Sequence, residues 1–258
     1  MTAALPPLEA AKRLAAFAAV DRHISLNDKL IGIGSGSTVP YVVDRIVQQG
    51  AKANAGRLFF PTGFQSKELI LSAGLALGDV DTHTRLDVCI DGADEVDADL
   101  NAIKGGGACQ LREKVLADMA DTWVMVADYR KNSSVLGTNW KQGVPIEVVP
   151  FAYAQVTAAL KKIGGSPTLR MAKAKAGPVV SDNGMFIIDC TFPEVQMKEP
   201  ADLNRCIKLI TGVAEVGLFC GMAKAAYFGN DDGSVSVRAA GGTTDHIKSV
   251  PDVPPTSA

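Results

Sequence analysis

At 258 residues the chain can bury a sizeable core, as one large domain or two small ones. Its formal charge of -2 gives no general attraction for nucleic acid or for an anionic membrane surface. The five cysteines (Cys89, Cys109, Cys190, Cys206, Cys220) are odd in number and contain no CxxC, which argues against a disulfide framework or a zinc site and predicts reduced thiols in the cytoplasm. No apolar run approaches the ~18 residues of a membrane span. The N-terminal stretch MTAALPPLEAAKRLAAF carries Glu9 in an alanine-rich amphipathic pattern unlike a signal peptide, so a soluble, unexported protein is expected.

Pro6 and Pro7 precede a helical spacing through Leu14, Phe17, Ala18 and Val20, with Lys12 and Arg13 near its start. KLIGIG (29–34) is a buried-strand pattern that runs into Ser35, Gly36, Ser37 and Thr38. Val39, Val42, Val43, Ile46 and Val47 then keep helix spacing, with Pro40 in the first turn, where its missing N–H is harmless. A strand-to-helix junction of this kind binds anions, because the first N–H groups of the helix lack partners and its dipole favours negative charge. Phosphate is the natural guest, although a plain Gly/Ser turn with a capping hydroxyl has the same spacing. A Walker A loop is excluded by the lack of lysine, and a GxGxxG fingerprint fails because Ser37 stands where its last glycine belongs.

A second strand is expected at Leu58–Phe60, a short helix over 66–73, an edge near 75–80, and a further strand at Leu86–Ile90. Alternating strands and helices predict a Rossmann-like, mostly parallel sheet flanked by helices, with ligands at the carboxyl ends of its strands. The Leu86 strand ends in Asp91, Gly92, Ala93 and Asp94. Lys104 precedes Gly105, Gly106 and Gly107, three consecutive glycines where the backbone must approach something closely or take φ > 0. In the next helix Leu111, Val115, Leu116 and Met119 predict the buried face, and Glu113 falls off that stripe, as a solvated glutamate would. TWVMVA (122–127) predicts a central strand with Arg130 and Lys131 at its carboxyl end.

From residue 143 the pattern changes to strand, helix (153–163), strand, a hairpin around Asp182-Asn183-Gly184, and helix (203–210). Residues 143–212 are therefore expected to form an inserted, smaller α+β (ferredoxin-like) domain. Residues 1–142 and 213–238 would form the sheet domain, with 216–227 and 234–238 completing the sheet. Residues 239–258 hold few large apolar side chains and are expected to be disordered.

Two aspartates, an amine, bare backbone and a second acid within one strand-loop-helix stretch describe a site for a small polar molecule. With a sugar phosphate anchored at residues 35–38, Glu113 could carry a proton between C1 and C2 while Lys104 and the glycine N–H groups hold an enediolate oxygen. Asp91 and Asp94 could accept sugar hydroxyls or assist ring opening. A Mg²⁺ or Mn²⁺ site on Asp91, Asp94, Glu95, Asp97 and Asp99 is the competing possibility, but the spacing fits no EF-hand and Lys104 would repel a cation. No metal and no cofactor is expected.

The segments GIGSGST, IDGADEVD, KGGGACQLREK, DNGMFIID and GVAEVGLF together resemble ribose-5-phosphate isomerase of the A type, in order and over nearly the whole chain. The resemblance implies metal-free interconversion of ribose 5-phosphate and ribulose 5-phosphate through an enediolate, with Glu113 as base. It also implies substrate binding by Ser35–Thr38, Asp91–Asp94, Lys104–Gly107, Lys131 and Lys12, in a homodimer. Ser35 replaces a threonine common in the family and keeps the hydroxyl, and Met185 replaces a common asparagine. A non-catalytic sugar-phosphate sensor and a coenzyme A transferase are the alternatives on a similar fold. The sensor should carry a DNA-binding module, for which the N-terminal helix is too short.

Overall fold

The computed structural model describes residues 5–254. In chain order these form α1 (Pro7–His23), β1 (Leu30–Ile33), α2 (Val39–Gln48), α3 (Ala51–Asn54), β2 (Leu58–Pro61), α4 (Phe64–Ser72), β3 (Leu86–Gly92), β4 (Glu95–Val96), β5 (Ala102–Ile103), α5 (Gln110–Met119) and β6 (Ala120–Asp128). They continue as β7 (Val144–Val148), α6 (Tyr153–Lys162), β8 (Ser166–Leu169), β9 (Phe186–Thr191), α7 (Glu194–Met197), α8 (Pro200–Lys208), β10 (Val213–Val216) and β11 (Leu218–Phe219). The last strands are β12 (Ala225–Gly229), β13 (Val235–Ala239) and β14 (Thr244–Ile247). The chain divides into two compact units: one holds the described residues up to Ala93, Val115–Asn132 and those from Met222 on, the other Asp94–Lys114 and Ser133–Gly221.

The first unit is built on a seven-stranded sheet of order β14-β13-β12-β6-β3-β1-β2. The strands from β2 to β12 are parallel, and β13 and β14 add antiparallel. Strands buried on both faces read as continuous apolar runs, which is why KLIGIG and TWVMVA lack alternation. Ile31, Ile33, Val88, Ile90, Val124 and Val126 pack with Ala15, Ala16, Ala19 and Val20 of α1 and Val42, Val43 and Ile46 of α2. Alanines let α1 lie close on the sheet: a Cβ on Gly229 would come 1.8 Å from the Ala11 carbonyl oxygen. Val47, expected within the α2 stripe, is exposed, while Arg45 of the same helix is fully buried on Asp21. The chain runs from β1 out to β2 and then back across to β3, so the sheet's switch point lies at the carboxyl ends of β1 and β3.

In the second unit the succession β7-α6-β8-β9-α8-β10 forms an antiparallel four-stranded sheet of order β10-β7-β9-β8, the ferredoxin-like β-α-β-β-α-β arrangement. Ile146, Val148, Val156, Leu160, Ile188, Leu203 and Ile207 fill its core. The hairpin turn falls where Asp182-Asn183-Gly184 predicts it, with Gly184 at φ 73 and the Ser181 N–H donating to the Met185 carbonyl at 2.9 Å.

This unit is larger than the expected insert of 143–212. A small sheet of order β11-β5-β4 ties residues 95–103 to Leu218 and Phe219, and the Lys104 N–H donates to the Gly217 carbonyl at 2.9 Å. Strands of two residues carry no readable period. The single strand expected over 216–227 is therefore divided among β10, β11 and β12. The tail also differs from expectation. Positive-φ Gly241 and Gly242 turn the chain so that β14 pairs with β13, and Asp245 meets Arg22 at 2.8 Å. Residues 255–258 of that predicted tail lie outside the described residues. No described helix is long and apolar enough to cross a membrane.

Candidate active site

The predicted site residues divide between the two units. In the first, β1 ends against β3, where the Gly34 N–H donates to the Ile90 carbonyl at 3.0 Å and the Ser35 N–H to Asp91 Oδ1 at 3.0 Å. The Gly92 N–H donates to the same oxygen at 2.7 Å, so the wholly buried Asp91 carboxylate fixes the start of the loop. A Cβ on Gly34 would lie 2.0 Å from Asp91 Oδ1; only glycine fits. Gly36 takes φ 103, and Gln65 grips it from α4 by accepting its N–H at 2.8 Å and donating to its carbonyl at 3.3 Å. Ser35 and Thr38 are buried, whereas Gly36 and Ser37 are exposed at the N-terminal end of α2. Gly36 and Ser37 thus lie exposed just before the N-terminal end of α2, where the helix dipole favours an anion.

Lys12 lies buried on α1 with its ammonium 2.7 Å from Glu9, whose other oxygen accepts from the Tyr41 hydroxyl at 2.7 Å. These two bonds, Lys12 first, hold the Glu9 carboxyl below its usual range. Lys131 sits in a single 3-10 turn, Tyr129–Lys131, at the carboxyl end of β6, and the Asp128 carboxylate caps that turn by accepting the Arg130 N–H at 3.2 Å. Ala93 follows β3 directly, partly exposed.

The second unit holds Asp94, Lys104, Gly105–Gly107 and Glu113. Lys104 is 2% exposed and Glu113 4%. Their side chains meet at 3.3 Å, Nζ to Oε1, with the Phe219 ring 5.6 Å from the same ammonium. Gly105 takes φ 101, the Ala108 N–H returns to its carbonyl at 2.9 Å, and the Gly106 N–H donates to Asp94 Oδ2 at 2.7 Å. The Asp94 N–H donates to the Ile103 carbonyl at 2.9 Å, so β5 positions both the aspartate and the lysine that follows it.

Glu113 departs from its expected place on a solvated face. The buried positions of α5 are Gln110, Glu113, Leu116 and Ala117, while Val115, expected inside, is 39% exposed. A stripe that contains a glutamine and a glutamate is invisible to hydrophobic periodicity. Burying an acid is costly unless it is paired, and Lys104 supplies the partner.

Other acids of the predicted cluster organise loops. Glu95 is fully buried and accepts the N–H groups of Gly137 at 2.6 Å and Asn139 at 2.7 Å. Asp97 accepts the N–H groups of Asp99 at 2.9 Å and Asn101 at 2.8 Å; burial pushes its carboxyl up. Among the described residues no group of His, Cys, Asp or Glu is arranged to hold a metal ion.

Sequence reasoning did not single out Gln65, Arg170 or Asp189. Arg170 forms a forked ion pair with Asp189, at 2.8 Å and 2.5 Å, and donates to the carbonyls of both Gly105 and Gly106 at 3.0 Å. An arginine and an aspartate 19 positions apart have no local signature.

Comparison with known proteins points to one family. The family model described as ribose 5-phosphate isomerase A (phosphoriboisomerase A) matches residues 58–233. The ribose-5-phosphate isomerase of Cryptococcus neoformans var. neoformans is 68% identical over 252 residues, covering 94% of this chain and 83% of the relative. The Homo sapiens enzyme of that name is 50% identical over 231 residues, covering 89% and 73%. Among solved structures, a D-ribose-5-phosphate isomerase in complex with phospho-erythronic acid superposes with a TM-score of 0.83 at 35% identity, covering 90% of this chain and 99% of that one. The Plasmodium falciparum ribose 5-phosphate isomerase gives 0.79 at 30%, covering 90% and 98%. With a matching model over most of its length and relatives this similar, the chain belongs to the ribose 5-phosphate isomerase A family.

Proposed function

We propose that this isomerase interconverts D-ribose 5-phosphate and D-ribulose 5-phosphate with Glu113 as the single proton-carrying base. The buried Lys104–Glu113 pair at 3.3 Å carries this reading, because it sets a carboxylate and a fixed cation side by side out of bulk water. The Glu113 carboxylate takes the C2 proton of the open-chain aldose while the C1 carbonyl electrons move onto oxygen, giving an enediolate. Lys104 and the N–H groups of the glycine loop hold that oxygen. The same carboxyl then returns the proton to C1, the O2 proton passes to O1, and the C2 carbonyl forms.

Ser35, Gly36, Ser37 and Thr38 take the phosphate, supported by Lys12 and Lys131. Asp91, Gly92, Ala93 and Asp94 order the sugar hydroxyls, and one of the two aspartates assists ring opening. Phospho-erythronic acid, bound by a structural relative, has a carboxylate in place of the reacting carbons and is the natural probe for this site. The protein acts as a cytoplasmic homodimer without cofactor; its free cysteines accord with a reducing compartment.

Purified protein added to ribose 5-phosphate should form ribulose 5-phosphate to equilibrium, with deuterium from D₂O entering the product. A protein that binds the sugar phosphate without converting it would be a sensor. Acyl transfer from an acyl-coenzyme A onto Glu113 would make it a transferase.

A further inference from the structure

We propose that Arg170, anchored by Asp189, is a positioning residue that sets the direction of the glycine-loop peptides around the reacting end of the substrate. The inference rests on the isomerase reading of that loop and names a part of the machinery that lies 57 or more residues away in sequence from Glu113 (113 to 170).

Arg170 Nη1 donates to the carbonyl oxygens of Gly105 and Gly106, at 3.0 Å each. In a trans peptide the carbonyl and the following N–H point in opposite directions, so fixing the carbonyl fixes the donor. The Gly105 carbonyl faces Arg170, and at the other end of the same peptide the Gly106 N–H donates to Asp94 Oδ2 at 2.7 Å. Arg170 and Asp94 therefore pin one peptide plane from its two ends. The Gly106 carbonyl faces the same guanidinium, which turns the Gly107 N–H away from Arg170 on an exposed residue. That N–H is a donor of the kind an enediolate oxygen requires.

Glycine needs such external fixation more than other residues, because its own backbone preferences hold nothing in place. Gly105 already takes φ 101, and at Gly106 a Cβ would come 2.7 Å from Asp94 Oδ1, so a stiffer residue cannot replace either. The guanidinium is itself immobilised. Asp189 on β9 accepts its Nε at 2.8 Å and Nη2 at 2.5 Å, and both side chains are mostly buried. The backbone of Arg170 is held as well, its N–H donating to Ile187 at 2.8 Å and its carbonyl accepting from Val179 at 2.8 Å. Only arginine can fork onto a carboxylate and still reach two carbonyls; a lysine ammonium is a point charge on a flexible stem.

Pre-oriented donors are worth more to the transition state than to the bound substrate, so loss of the clamp should appear in enediolate-like binding before it appears in KM. In Arg170→Met, kcat should fall by ~10-fold or more and the affinity for phospho-erythronic acid, read by calorimetry, should fall in proportion to kcat/KM, while KM moves less than ~3-fold. Arg170→Lys should recover only part of the loss. Asp189→Asn, which keeps the guanidinium and loosens its anchor, should shift both quantities in the same direction by less; these two variants carry the test if Arg170→Met does not fold. A merely structural role would lower the melting temperature and the active fraction while leaving the acid's affinity per folded site at the wild-type value, and that result overturns the proposal. Wild-type protein that fails to isomerise ribose 5-phosphate overturns the isomerase reading instead, and calorimetry still reads the clamp.

Discussion

Lys104 Nζ stands 3.3 Å from Glu113 Oε1 with both side chains almost entirely removed from solvent. Breaking a buried pair by deleting one partner leaves the other charge uncompensated, at a typical cost of ~3–5 kcal/mol. Lys104→Met should therefore lower the melting temperature as well as the rate. On the proposed mechanism, in which this cation holds the enediolate oxygen, kcat should drop ~10²-fold or more in the fraction that stays folded. A variant that loses stability but turns over normally per folded molecule would assign Lys104 to packing alone.

Gly34 and Gly36 stand two positions apart and should respond differently to alanine. At Gly34 the added methyl overlaps Asp91 Oδ1 at 2.0 Å, so Gly34→Ala must displace a buried carboxylate that orders the start of the 35–38 loop. Large losses of both stability and kcat/KM are expected. At Gly36 nothing lies within 4 Å of a new Cβ, and the strain comes only from φ 103. Gly36→Ala should cost ~1 kcal/mol in denaturant titration and act mainly on KM.

Glu215 gives the acid limb of stability a local cause. Burial alone would push its carboxyl up, but the Lys114 ammonium at 2.8 Å and the Lys208 ammonium at 2.8 Å hold it below the usual range. A carboxyl depressed in the folded state contributes stability that is fully present above its unfolded value of ~4.3 and is lost as pH falls through the lower folded value. Melting temperatures measured between about pH 3 and 7 should fall at the acid end in the wild type and fall less in Glu215→Gln. At neutral pH the variant should be less stable than wild type, because Lys114 keeps the carbonyls of Val216 and Leu218 and the Phe219 ring but loses the charge of its carboxylate partner.

On the proposed mechanism turnover should survive exhaustive chelation, with the Lys104 ammonium in place of the positive charge that a metal would bring to the oxyanion. Loss of activity in EDTA that Mg²⁺ or Mn²⁺ restored would move the acids of the 91–99 stretch into a metal site and take that role from Lys104.

Much of the sheet unit was legible because its strands are buried on both faces and end in loops with polar and glycine signals. KLIGIG before GSGST and the Leu86 strand before Asp91 fall at β1 and β3, side by side in the sheet. The ferredoxin-like succession was readable from its alternating patterns and the Asn183-Gly184 turn. Strands β4, β5 and β11 were not, since two residues show no period and their pairing joins Ile103 to Leu218 across more than a hundred positions. The burial of Glu113 was not legible, because the burial stripe of α5 runs through polar side chains, and only its neighbours in KGGGACQLREK suggested it as a candidate. Arg170 and Asp189 meet only once β8 and β9 pair, so nothing local marks them. Val47 and Arg45 show the limit of periodicity on α2: Arg45 forks onto Asp21 and takes the buried place.

The most direct measurement is the rate of ribose 5-phosphate isomerisation by Glu113→Gln. The substitution keeps size and hydrogen-bonding shape but cannot accept the C2 proton, so kcat should fall at least ~10²-fold with KM little changed. Deuterium incorporation from D₂O should fall together with the rate. A variant that isomerises at near wild-type speed would show that Glu113 is not the base, and that another group carries the proton between C1 and C2.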